Sequence, residues 1–130
     1  MIVDSSAIIA ILLDEDDSAR YTQAIQKSRD CYMSAATYVE IAAVIEPLGN
    51  PLLRRRFDDL MELGKIEIVP VDLEQAIVAR AALRDYGKGS GHGARLNLSD
   101  SFSYALARSS RMPLLFKGND FPKTDIASAI

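Results

Sequence analysis

The chain has 130 residues, 48% of them hydrophobic and 25% charged, which bounds it to one domain able to bury a core without disulfides. One cysteine, Cys31, and one histidine, His92, exclude within a single chain a disulfide framework, a thiolate zinc site and a two-histidine metal centre. A net charge of −3 argues against a broad polyanion-binding surface, yet permits a local basic rim, because steering follows the distribution of charge.

Met1-Ile2-Val3 opens as a short buried strand ending at Asp4, without the basic start and apolar length of a secretory leader. No apolar run is long enough to span a membrane, so the expected location is the cytoplasm. Ser5 to Leu13 reads as a helix, and Asp14 to Lys27 as a second helix after a turn. Cys31 to Ser34 is the next strand. Thr37 to Glu46 is helical until Pro47-Leu48-Gly49 stops it. Asn50 and Pro51 suit the cap and first position of another helix, which runs to about Leu63. Lys65 to Val71 alternates β-branched residues and reads as a strand. Asp72 caps a helix that breaks at the glycine-rich segment Gly87–Gly93. Ser99 or Asp100 is the expected cap of the following helix. Met112 to Phe116 is the fourth main strand, and the tail from Phe121 suits a short edge strand.

Strands alternating with helices imply an α/β fold, a three-layer α/β/α sandwich around a parallel sheet of four to five strands. Helices in such folds run antiparallel to the strands, so strand C-ends and helix N-ends share one edge. Asp4 ends the first strand, Glu40 lies early in the helix after the second, Asp100 opens a helix, and Asp120 follows the fourth strand. All four therefore fall on the edge where open α/β sheets bind ligands. Taken singly, Asp4 and Asp100 also suit helix capping, and Asp120 suits a turn.

Two carboxylates about 4 Å apart repel by roughly 4 kcal/mol at an effective dielectric near 20. Four together demand protonation or a divalent cation. An all-oxygen, histidine-free donor set favours Mg²⁺, with Mn²⁺ as a substitute. Such an ion activates water and stabilises charge on a phosphodiester, which makes a phosphodiesterase the economical reading.

The segments Ile2-Val3-Asp4-Ser5-Ser6-Ala7, Thr37-Tyr38-Val39-Glu40, Asn97-Leu98-Ser99-Asp100 and Asn119-Asp120-Phe121 together resemble PIN-domain ribonucleases of the VapC toxin type. The resemblance spans essentially residues 1–130 as a single PIN domain and implies strand order 3-2-1-4-5. It implies Asp4 and Asp100 as the principal Mg²⁺ ligands, with Glu40 and Asp120 completing the site directly or through water. Ser6 matches a small hydroxyl residue that supports the first acid. The implied activity is that of a type II toxin–antitoxin endoribonuclease, in which metal-activated water cuts tRNA or rRNA to leave 5′-phosphate and 3′-hydroxyl ends. A homodimer and a VapB-type antitoxin are the implied partners. Gly118-Asn119-Asp120 departs from more acidic versions of that turn, which leaves one or two metal ions open.

Lys88, His92 and Arg95, in or beside the glycine-rich loop, are candidate RNA contacts, as is Lys117; the same loop also suits a solvated connector. Its Gly-Lys-Gly-Ser run follows a helix and lacks P-loop spacing, which argues against ATP. Arg54-Arg55-Arg56 and Asp14-Glu15-Asp16-Asp17 read as solvated charged faces. The rival functions are a catalytically silent PIN-like module that binds RNA or a partner, and a phosphoryl-transfer enzyme with an aspartyl nucleophile. The latter lacks the second aspartate expected two residues after Asp4, where Ser6 stands.

Overall fold

A computed structural model describes residues 1–130. Its elements are β1 (Ile2–Val3), α1 (Ser5–Leu12), α2 (Ser18–Lys27), β2 (Cys31–Ser34), α3 (Ala35–Ile45), α4 (Pro51–Leu63), β3 (Ile66–Val69), α5 (Leu73–Tyr86), α6 (Leu98–Ser110) and β4 (Leu114–Leu115). Short 3₁₀ turns occupy Glu46–Leu48 and Phe121–Lys123. No helix is long and apolar enough to cross a membrane.

The sheet order is β3-β2-β1-β4, with every neighbouring pair parallel. The tail adds the fifth position as a single bridge, Leu114 opposite Ser128. Two hydrogen bonds hold it, from the Leu114 N–H to the Ala127 carbonyl and from the Ala129 N–H to the Leu114 carbonyl, both 2.9 Å. Successive strand side chains point to opposite faces, and the core divides accordingly. Val3, Met33 and Leu115 join Ala7, Ile8, Ile25, Ile41 and Phe57 on one side. Ile2, Leu114 and Phe116 join Ala82, Leu96, Tyr104 and Leu106 on the other. Burial of each large aliphatic side chain contributes about 1.5–3 kcal/mol, so both helical layers are held firmly to the sheet. The three-layer sandwich is thus present.

Several boundaries differ from the sequence expectations for local reasons. β3 stops at Val69, because Pro70 has no N–H to extend the ladder. α2 begins only at Ser18, since Asp14 takes a left-handed φ of 51° and the chain turns before the helix. α3 starts directly after β2, its N-terminus capped by Ser34 Oγ, which accepts from the Ala36 N–H at 3.3 Å. The cap of α6 is Asn97 rather than Ser99 or Asp100.

The glycine-rich segment is pinned at its neck. Lys88 N–H donates to the Leu96 carbonyl and Leu96 N–H to the Tyr86 carbonyl, both at 2.9 Å, while Ala94 and Leu96 are fully buried. A Cβ at Gly87 would stand 2.1 Å from the Leu83 carbonyl oxygen, so only glycine lets α5 close there. Across the core, Thr37 Oγ1 of α3 and Ser103 Oγ of α6 share a buried 3.0 Å hydrogen bond.

Candidate active site

Asp4 stands where β1 becomes α1. Its N–H donates to the Leu115 carbonyl at 2.9 Å, the last backbone bond on that side of the strand. Its carboxylate Oδ2 then caps α1, accepting from the Ser6 N–H at 3.0 Å and from Ser6 Oγ at 2.6 Å. The capping role expected of Asp4 is thus present. The side chain is only 1% exposed, and Oδ1 is buried with no hydrogen-bond partner. Burying a carboxylate oxygen without a protein partner is costly, and Oδ1 keeps its acceptor capacity unused by the protein. Ser6 links Asp4 onward, because its Oγ accepts from the Lys117 N–H at 2.9 Å.

Glu40 projects from the second turn of α3. Burial raises its pKa above the ordinary glutamate value, repulsion from Asp4 adds to this, and the Ser5 and Ser99 side chains oppose it. Its Oε2, like Asp4 Oδ1, is buried without a partner. Asp100 sits at the third position of α6 in a reciprocal capping box. Asn97 N–H donates to Asp100 Oδ2 at 2.7 Å, and Asp100 N–H donates to Asn97 Oδ1 at 2.8 Å. Despite that bond, burial and the nearby charges of Asp4, Glu40 and Asp120 push its pKa up to about 6. Those charges come from separate stretches of chain, and all three act on Asp100. Asp120 is the most open of them, exposed at the start of the Phe121–Lys123 turn. The four carboxylates remain loosely spread, with no three of them converging on one ion position.

The cations divide. Lys88 and Arg95 line a cavity of about 270 Å³ together with Asn97 and Asp120, so both border the acidic edge. His92 serves its own turn: Nδ1 accepts from the Ala94 N–H at 3.1 Å, and the ring meets Tyr86 edge-on at 5.0 Å. Lys117 takes another place than its nearness to Asp120 in sequence suggested. Its ammonium donates to Asp17 Oδ1 at 2.6 Å and to Glu15 Oε2. Asp14 pairs with Arg56 and Glu46 with Arg54, so those charge runs are partly knitted together rather than simply solvated. Asn97 is the site residue that sequence reasoning passed over, although Asn-x-x-Asp before an apolar helix is a readable capping box.

Comparison with known proteins defines the class of the chain. The PIN domain family matches residues 1–127, and the chain belongs to it. Within that family it stands with the VapC ribonucleases. The VapC ribonuclease Mb0625 of Mycobacterium bovis and Ribonuclease VapC28 of Mycobacterium tuberculosis are each 48% identical over 130 residues, spanning 100% of this chain and 98% of theirs. Ribonuclease VapC42 of Mycobacterium tuberculosis is 47% identical over 129 residues, spanning 99% of this chain and 98% of its own. Among solved structures, FitAcB from Neisseria gonorrhoeae superposes with a TM-score of 0.70 at 22% identity, covering 98% of this chain and 96% of that one. A toxin-antitoxin complex from Klebsiella pneumoniae gives 0.67 at 18% identity, covering 92% and 88%. Both share the fold.

Proposed function

We propose that this protein is a divalent-metal-dependent endoribonuclease, the toxin of a type II toxin–antitoxin pair acting in the cytoplasm. The observation that carries the reading is the pair of buried, unpartnered oxygens, Asp4 Oδ1 and Glu40 Oε2, beside an Asp100 whose proton affinity is raised. Relatives named as ribonucleases, matched along 98% of their length, supply the reaction class.

The residues fit a hard divalent ion. Every donor is an oxygen, two lack any partner, and mutual repulsion among the acids is what a cation would relieve. Asp4 and Asp100 would hold it, with Glu40 and Asp120 completing the site directly or through water; Mg²⁺ is the expected ion and Mn²⁺ its substitute. When bound, it would supply Lewis acidity toward water and the phosphodiester. The chain's own groups do the rest. Ser6 fixes the Asp4 carboxylate, Asn97 fixes Asp100, and Glu40 is suited to hold a proton. Lys88 and Arg95, at the rim, would meet phosphates, and His92 would shape the loop that presents them.

A structured RNA such as tRNA or rRNA is the expected substrate. A VapB-type antitoxin and a second copy of the chain are the expected partners. Leu73 and Ile77, 77% and 61% exposed and four residues apart on α5, share one helical face that offers an apolar surface for such a contact.

The test is cleavage of a structured RNA pool in Mg²⁺, Mn²⁺ or EDTA, with mapping of the ends. The expected result is 5′-phosphate and 3′-hydroxyl ends, no activity in EDTA, and at least about a hundredfold loss in Asp4→Asn. Cleavage that survives EDTA or the Asp4→Asn change would refute this function. Tight RNA binding without turnover in either metal would establish the silent binding module instead.

A further inference from the structure

The loop leaving β4 must deliver Asp120 to the acidic edge, and one residue governs it from two directions. Lys117 donates its N–H to Ser6 Oγ at 2.9 Å, and Ser6 Oγ in turn donates to Asp4 Oδ2 at 2.6 Å. The same residue's ammonium reaches back to Asp17 Oδ1 at 2.6 Å and to Glu15 Oε2, in the turn between α1 and α2. Asp17 is committed to this role. It occupies the N-cap position of α2 yet makes no side-chain cap bond, although aspartate there ordinarily bonds the helix N–H groups. Its other oxygen instead accepts from the Tyr21 hydroxyl at 3.1 Å. Lys117 and Asp17 side chains are each only about one-third exposed, at 35% and 34%. Hydrogen bonds to Asp17 and Glu15 hold the ammonium well above the usual lysine range, and the bond from Lys117 holds Asp17 below the usual carboxylate range. Directly after Lys117, Gly118 takes a positive φ of 110°, and residues 118–120 form a bend, so the direction fixed at 117 bears on where Asn119 and Asp120 emerge.

We propose that Lys117 is a positioning residue for the nuclease site. Its backbone buttresses Asp4 through Ser6, and its ammonium, seated between Glu15 and Asp17, anchors the loop that carries Asp120. This inference rests on the nuclease reading of the site. It assigns Lys117 no contact with RNA, and it gives Glu15 and Asp17 a role that their charged surroundings concealed.

Lys117→Met keeps the backbone N–H and removes the ammonium. Expected is a fall in kcat of about tenfold or more, since small misplacements of reacting groups carry such losses, with KM within about twofold of wild type. Lys117→Arg should recover most of kcat. Glu15→Gln/Asp17→Asn should reproduce the Lys117→Met loss, and the triple variant should lose little more, because coupled groups are non-additive. Hydrogen exchange in the metal-free protein gives an activity-independent readout: amides of residues 116–120 should exchange faster in Lys117→Met and in Glu15→Gln/Asp17→Asn. A raised KM at unchanged kcat would overturn the proposal in favour of direct RNA contact. Additive losses, or unchanged exchange, would also overturn it. Should the wild type cleave no RNA, the nuclease reading fails by itself and the exchange measurement alone decides whether the anchor exists.

Discussion

Asp100→Asn is expected to make the metal-free protein more stable at neutral pH. In the folded state Asp100 binds its proton up to about pH 6, against an ordinary value of 3.8. The folded state therefore holds more protons than the unfolded state between those values. Stability attached to this group is complete below the ordinary carboxylate value and is lost as pH rises through about 6. At roughly 1.36 kcal/mol per pKa unit, the difference amounts to about 3 kcal/mol. Partial exposure and solvent screening reduce that to about 1–2 kcal/mol. Asparagine keeps an oxygen for the Asn97 N–H while removing the charge that meets Asp4, Glu40 and Asp120. Thermal unfolding followed by circular dichroism in EDTA at pH 7.5 should show the variant melting roughly 3–8 °C higher. At pH 4.5, where wild-type Asp100 is already protonated, the gap should nearly close. Added Mg²⁺ should raise the wild-type melting temperature more than the variant's, because a ligand stabilises the state that binds it. An equal gap at both pH values, or a variant less stable at pH 7.5, would refute the account of repulsion at this edge.

Lys88→Ala and Arg95→Ala should each weaken RNA binding and lower the slope of log affinity against log salt by about one; filter binding between 50 and 200 mM salt, as an order of magnitude, checks this, and an unchanged slope removes the residue from the phosphate contacts. Thr37→Val should cost about 1–3 kcal/mol by leaving the Ser103 hydroxyl buried and unpaired. Thr37→Val/Ser103→Ala should recover most of that stability in denaturant unfolding. A double variant as unstable as the single one would show that the pair does not act as a unit.

The sequence exposed the acids more readily than it exposed what holds them. Asp4, Glu40, Asp100 and Asp120 were placed on one edge because strand–helix alternation dictates that edge, and the charges of the other three are felt at Asp100. The cap of α6 was harder to read, since Ser99 and Asp100 are themselves capping residues and stand two and three residues after Asn97. Asn97 wins because its side chain and that of Asp100 satisfy each other's backbone N–H groups. The Lys117 pairs lie about a hundred residues apart in sequence, a separation at which no local pattern operates. β4 is two residues long rather than five because β1 pairs with it only at Leu114 and Leu115 and its outer neighbour adds only the bridge to Ser128. The fold class followed from periodicity; the ion pairs and short strands depended on tertiary neighbours.

The bond between Thr37 and Ser103 has a meaning beyond stability. Thr37 precedes Glu40 by three residues on α3, and Ser103 follows Asp100 by three on α6, so each hydroxyl lies about one helical turn from an acid. The two helices therefore touch at a buried joint within about one turn of each acid. Glu40 and Asp100 belong to helices far apart in sequence, and their spacing would otherwise depend on how two helices slide past each other. With the joint in place, substitutions elsewhere on either helix can shift its outer end while the gap at the acidic edge stays nearly constant. Surface drift on α3 and α6 is thereby decoupled from the spacing of these two acids.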